Sequence, residues 1–463
     1  MVVSPDGSGD HRSIAAALAD APAGTRIVVM PGRYRESLVV DRDVELVGGG
    51  PRSGVVVEAL EGPAMEVRSR STIRDLQLVG SSGASSPSAV VVDITSASPV
   101  LEDCEVVGGI ASALLVRGVS SLPLVRNCRA HGSGGVGVLF LDGSSGKIED
   151  CDVYENALAG MEARDGASPV IRRCRVHDGG EGGVFVEAGA SPTVEDCDVY
   201  ANALAGIEVR DGASPVIRRC RVHDGGEGGI LVTSASGVIE DCDVYGNALA
   251  GIEVRDGASP VIRRCRVHDG GEGGILVETG GAPMIEDCDV CANALAGVEA
   301  CGPATRAELA GTRVHHGAHI GLLVADQASA VVRSCDVFAN AFAGMELSGG
   351  AHADVYKTTV RDGCHVGFLV DDGASLVIEE GLVSANALAG IDAAGGCRVE
   401  VRRSLVVDGA HVGVLARSGS RVLLEAAEVG GNYMGDVVRE GDVDRRGGPQ
   451  GPGPLDLEVP RAT

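Results

Sequence analysis

"RDGASPVIRRCRVHDGGEGG" occupies residues 164–183 and returns unchanged at 210–229 and 255–274. Between its copies lie stretches reading "VEDCDV" or "IEDCDV", so the full repeat has two related halves, one basic and one acidic. Cysteines mark the halves at 104, 128, 151, 174, 197, 220, 242, 265 and 288, and equivalent positions continue at Thr312, Cys335, Thr358, Gly381 and Ser404. A spacing of 22 to 24 residues fits one coil of a stacked repeat. Within a coil, alternating segments such as "VIRRCRV" and "GIEVR" are broken by Gly, Asp, Asn and Pro, which predicts brief strands joined by tight turns. Strands stacked in parallel on their predecessors, with right-handed connections, predict an all-β, single-stranded right-handed parallel β-helix.

Alternation also predicts which side chains enter the coil. Ile171, Cys174, Val176, Val184 and Val186 point inward, and the next coil fills the same places with Val194, Cys197, Val199, Ile207 and Val209. The cysteine column reads as small buried hydrophobes, because parallel Cβ vectors hold neighbouring sulfurs about one strand spacing apart. That geometry suits neither a disulfide nor tetrahedral zinc. On the outside, Arg172 faces Glu195, Arg173 faces Asp196 and Arg175 faces Asp198. A slip of one coil turns each attraction into repulsion, so these charges set register. Asparagines follow the two-coil rhythm at 156, 202, 247, 293, 340, 386 and 432, with glycine between them at 179, 225, 270, 317, 363 and 409. Amides two coils apart are too distant to bond one another, so each is expected to satisfy its own turn.

The His-Asp-Gly-Gly-Glu segment is the strongest candidate for chemistry. His177, Asp178 and Glu181 have the residue types of an acid–base or metal site, as do His223, Asp224 and Glu227, and His268, Asp269 and Glu272. Successive copies stand two coils apart, too far to share an ion, and later coils replace the glutamate by His319, His365 and His411. Tyr154, Tyr200 and Tyr245 fall in the histidine column, so a Tyr/His stack is expected, with no metal and no cofactor. The chain has 65 acidic against 39 basic residues, a formal charge of −26, and Lys147 and Lys357 are its only lysines. This balance excludes nucleic acid and anionic membrane as expected partners. The opening "MVVSPDGSGDHRS" has neither a basic nor an apolar leader region, which leads us to expect a soluble, cytoplasmic monomer with reduced cysteines.

Two resemblances cover most of the chain. Residues 3–48, with Asp-Gly-Ser-Gly-Asp at 6–10, a short amphipathic segment at 11–21 and Pro-Gly-x-Tyr-x-Glu at 31–36, resemble the opening of the pectinesterase and pectin-lyase-like superfamily. That resemblance implies a short helix capping the open apolar end. Residues 100–434, with their "NALAG" and "VHDG" phrases, are similar to the β-helix repeats of F-box substrate-recognition proteins and of actinobacterial β-helix proteins, some of them fused to ATPases. The catalytic signatures of the enzymes do not carry over: there is no Trp to accompany paired aspartates and an Arg, no Asp-Pro-His-Asp, and only Asp371-Asp372-Gly373 echoes a polygalacturonase. F-box helices, a Walker loop and zinc-finger spacing are absent too.

The expected domains are a cap and first coils at 1–50, β-helix repeats at 51–439, and a Gly/Pro-rich tail or linker at 440–463. One outward stripe stands out in the strand that lies eleven residues after each cysteine position. Glu162, Phe185, Glu208, Leu231, Glu253, Leu276 and Glu299 alternate carboxylate with large apolar side chain. We expect these residues to bind a protein or polysaccharide partner on a non-catalytic scaffold. The alternative is a polysaccharide-active enzyme of the pectinesterase, lyase or epimerase type, its unique site lying in the less regular segment 301–365.

Overall fold

One coil of the computed structural model shows how the repeat folds. Strand Val170–Arg172 ends at a bend, strand Arg175–His177 follows, the turn at 178–183 leads into strand Val184–Val186, and the next coil begins with Thr193–Glu195. Each strand lies parallel to its counterpart one coil on, with Ile171 beside Val194, Val176 beside Val199 and Val184 beside Ile207. The structure describes residues 1–60, 62–81 and 90–447, and the chain divides into two compact units, Met1–Ala248 and Leu249–Thr463. Each unit is built of such coils, their strands forming three parallel sheets. The ten residues predicted to point inward, from Ile171 to Val209, are all buried, and all lie in the first unit. In the first unit one α-helix among the described residues, Ile14–Asp20, buries Ile14, Ala17 and Leu18. Ser13 caps it, and the Glu36 carboxylate accepts hydrogen bonds from the N–H groups of Ile14 and Ala15 at 3.0 and 2.8 Å. The Pro-Gly-x-Tyr-x-Glu motif therefore has a structural role in this chain: Glu36 holds the helix start, and buried Tyr34 donates its hydroxyl to the Met30 carbonyl at 2.8 Å.

The bend between the first and second sheets takes one residue, in the left-handed region: φ is 54° at Asp150, 53° at Arg173 and 54° at Asp196. This bend turns the next residue's N–H away from the ladder, and the column sulfurs answer it. Cys174 N–H donates to Cys197 Sγ at 3.5 Å, and Cys197 Sγ donates to the Ile171 carbonyl at 3.6 Å. In the second unit, oxygen does the same work. Thr312 Oγ1 accepts from Cys288 N–H at 3.3 Å, and Ser404 Oγ accepts from Gly381 N–H at 3.0 Å. The column is buried as expected, but it is a hydrogen-bonding column, not a purely apolar one. Twelve of the fourteen cysteines are buried, Cys301 is half-buried and Cys364 is exposed, and burial pushes the Cys335 and Cys397 thiols up to about 11. A maleimide added to the native protein is thus expected to modify Cys364 first and Cys301 slowly, with the others reacting only after denaturation. Intact-mass spectrometry over time checks this, and rapid native modification of all the thiols would refute it.

The asparagines depart from expectation. Each reaches back one coil: Asn202 Oδ1 accepts from Gly179 N–H and its Nδ2 donates to the Val176 carbonyl, both at 3.1 Å. Asn156, Asn247, Asn293, Asn340, Asn386 and Asn432 bond the coil before them in the same way. The intervening glycines make room for the amides. A Cβ on Gly179 would stand 2.9 Å from Asn202 Oδ1, and one on Gly183 would stand 2.8 Å from its Nδ2. The charge ladder also runs backwards. Arg172, Arg173 and Arg175 bond Glu149, Asp150 and Asp152 of the preceding coil at 3.0, 2.7 and 2.7 Å, leaving Glu195, Asp196 and Asp198 to Arg218, Arg219 and Arg221. Solvent-exposed pairs of this kind contribute about 0.2–1 kcal/mol each. The segment expected as a tail from residue 440 opens with a strand, Asp442–Arg446, parallel to Arg421–Glu425, and residues 448–463 lie outside the described residues. No helix among the described residues is long and apolar enough to cross a membrane.

Candidate functional site

The third sheet carries the outward stripe. In the first unit, Glu162 lies beside Phe185, Phe185 beside Glu208 and Glu208 beside Leu231, in unbroken register. In the second unit, Glu253 lies beside Leu276, Leu276 beside Glu299, Glu299 beside Leu323 and Leu323 beside Glu346. The seven residues named from the sequence thus form two sets, four in the first unit and three in the second. All seven are half-buried, and arginines lie against Phe185 and Glu162 among them. The Arg210 guanidinium lies 4.3 Å over the Phe185 ring while it bonds Glu187 at 2.6 Å. Arg164 stands 3.4 Å from Glu162. In the second unit, Leu323 and Leu369 pack with Phe342 and Leu388 on a buried cluster that includes Ile320 and Val366. Burial holds the Glu162, Glu299 and Glu346 carboxyls above the usual carboxylate range. The more exposed apolar groups lie on the preceding turn, at Leu158 and Leu204 in the first unit and at Leu249 and Leu295 in the second. Sequence reasoning missed them, although "NALAG" places a leucine at the tip of each such turn.

The second sheet carries the rings. His131, Tyr154, His177, Tyr200, His223 and Tyr245 stack in the first unit with centroids 4.5, 5.4, 4.7, 5.3 and 4.6 Å apart, as the column predicts. Each stacked pair contributes roughly 0.5–1.5 kcal/mol. Carboxylates clamp the imidazoles: His177 Nδ1 lies 2.7 Å from Asp178 and its Nε2 lies 3.1 Å from Asp152, and His223 repeats the arrangement with Asp224 and Asp198. Glu181 and Glu227 are exposed at the turn, away from these clamps, so the His-Asp-Glu trio is not one site.

In the second unit the column changes. Cys291 takes the tyrosine's place, between His268 and His315 in register, and His315 Nε2 stands 2.9 Å from Asp289 Oδ1. The ligand atoms of Asp289, Cys291 and His315 lie within 4.8 Å of one another, and no metal was expected there from the sequence. The signal was "DVC" at 289–291, where the preceding acidic coils read "DVY". Cys291 lies off the regular cysteine column, which is why spacing alone passed over it.

Among solved structures, the chain is similar to the A-module of the mannuronan C-5 epimerase AlgE4 from Azotobacter vinelandii, at 14% identity over 94% of both chains with a TM-score of 0.31. It is also similar to pectin methylesterase from carrot, at 13% identity over 53% of this chain and 82% of that one with a TM-score of 0.33. A third similar structure is the pectin methylesterase PemA from Erwinia chrysanthemi, at 14% identity over 51% and 88% with a TM-score of 0.33. No curated protein sequence matches the chain. The family described as "Right handed beta helix region" matches residues 68–217 and 205–360. Those two matches span more than half of the sequence, and the chain belongs to the right-handed β-helix family.

Proposed function

We propose that the chain is a non-catalytic scaffold that binds a protein or polysaccharide partner along the outward face of the third sheet in each unit. The observation that supports this is the register-locked alternation of carboxylate and apolar side chain: Glu162, Phe185, Glu208 and Leu231 in the first unit, and Glu253, Leu276 and Glu299 in the second. Repetition at fixed spacing suits a partner that is itself extended, and the carboxylates favour basic groups on it. The exposed turn leucines widen the apolar part of the same face.

Changing Phe185, Leu231 and Leu276 together to Ser removes half-buried apolar area, for which we expect a loss of about 1 kcal/mol of stability per site. Partner recovery from lysate, or binding to an immobilised polysaccharide series, is expected to fall at least tenfold. Changing Glu162 and Glu208 to Gln leaves the packing intact and is expected to weaken binding to basic partners selectively. Lower stability with undiminished binding in the Ser variant would overturn the reading.

One observation favours the enzyme alternative. Glu346, raised by burial, lies within electrostatic reach of His319 and Asp371, in the segment where the repeats lose regularity. A carboxyl so placed can exchange a proton with a substrate. Turnover of pectin, polygalacturonate or alginate that disappears in Glu346→Gln would favour this second reading over the first.

A further inference from the structure

In the first unit both ring nitrogens of His177 and His223 are occupied by carboxylates, and a phenol ring lies on either side of each imidazole. Such an imidazole has nothing left to offer a ligand. The second unit departs from this pattern at two places in the same stack. Cys291 stands where Tyr154, Tyr200 and Tyr245 stand in the first unit, so a thiol replaces a ring beside His315. His316 stands where Asp178 and Asp224 stand, and its Nδ1 lies 2.7 Å from His315 Nδ1. A second imidazole now stands where a carboxylate did, and in the tautomer in which His315 Nδ1–H donates to His316 Nδ1 the lone pair of His315 Nε2 faces Asp289. The carboxylate oxygen and Nε2, 2.9 Å apart, are then two acceptors that need a proton or a cation between them. From His315 onward the ring stack resumes, with His315 and Phe338 centroids 4.6 Å apart, so the departure is confined to two successive coils.

We propose that Asp289, Cys291 and His315 bind a divalent transition-metal ion of the zinc class, with His316 orienting His315 from behind. The donor set is one thiolate, one imidazole and one carboxylate, the mixture that suits zinc and does not suit calcium or magnesium, which take oxygen ligands. Ligand atoms within 4.8 Å of one another come to zinc bonding distance after side-chain closure of about 1 Å. Three protein ligands leave a fourth position for water or a partner's donor group. Asp289 already shares its charge with Arg313 at 2.9 Å and Arg266 at 4.0 Å, so the thiolate is the dominant ligand. Asp289 and His315 are half-buried, and the ion reaches the buried sulfur past them.

The test uses the full chain, free of any affinity tag and stripped with chelator. Cobalt(II) serves as the spectroscopic probe and zinc(II) as the competitor. Titration with cobalt is expected to give a thiolate-to-metal charge-transfer band that saturates at one equivalent and is displaced by zinc. Cys291→Tyr restores the residue of the other acidic coils, keeps the ring stack and is expected to abolish the band without lowering the thermal midpoint. Cys291→Ser gives the same spectroscopic result with a smaller side chain. His316→Ala, which removes the partner of His315 Nδ1, is expected to weaken binding about 10- to 100-fold, and Cys364→Ser, at the exposed thiol, to leave it unchanged. Absence of the band in the parent protein, or its survival in Cys291→Tyr, overturns the proposal.

Discussion

Deleting one coil from the first unit, residues 164–186, is expected to cost more than about 4 kcal/mol of stability, whereas deleting two, residues 164–209, leaves the thermal midpoint close to that of the parent. The single deletion joins Ala163 to Glu187 and lays one acidic coil on another. Glu195 then meets Glu149, Asp196 meets Asp150 and Asp198 meets Asp152, and Glu149, Asp150 and Asp152 lose the arginines that paired them. Asn202, which needs the space over Gly179, meets the side chain of Asn156 instead. The double deletion joins Ala163 to Arg210. It brings Arg218, Arg219 and Arg221 onto Glu149, Asp150 and Asp152, and Gly225 to the level that Gly179 had occupied. Circular dichroism melts of the two variants decide the matter, and equal midpoints would show that the alternation carries no register information.

The period, the parallel stacking and the buried column were legible in the sequence because each is a property of a position repeated many times. The direction of the pairings was not. Arg175 lies beside Asp152 on one side and Asp198 on the other in the same register, and only the lean of the guanidinium toward the earlier coil selects Asp152. The same holds for Asn202, whose amide can reach its own turn or the one before it, and reaches back because Gly179 leaves that space open. The stripe from Glu162 to Leu231 was legible as to side of the sheet. Its cover was not, since a guanidinium over Phe185 depends on side-chain conformation that alternation does not encode. Cys291 was legible as a substitution in "DVC", but its meaning required the neighbouring level, where His316 replaces an aspartate.

Asn202→Ala is expected to destabilise the protein by about 2–4 kcal/mol, the second largest effect we anticipate. The amide is 2% exposed and satisfies two backbone groups at once, so its loss strands the Gly179 N–H and the Val176 carbonyl in the interior. Each buried group left without a partner costs about 1–3 kcal/mol. Glu181→Ala, at an exposed position of the neighbouring turn, is expected to stay within about 0.5 kcal/mol and controls for substitution as such. Urea unfolding with a shared m-value measures both. A shift of less than 0.5 kcal/mol in Asn202→Ala would mean that water replaces the amide without penalty.

The identical copies at 164–183 and 210–229 bear on heredity as well as on stability. Unequal recombination between them removes or duplicates one full acidic–basic pair of coils, and after either event each arginine again faces a carboxylate and each asparagine a glycine. A descendant chain can therefore grow or shrink by whole pairs at little cost in folding, while an odd number of coils is selected against at once. Length in this lineage is expected to vary in even steps, with the spacing between copies preserved by the same charges and amides that hold a single molecule together.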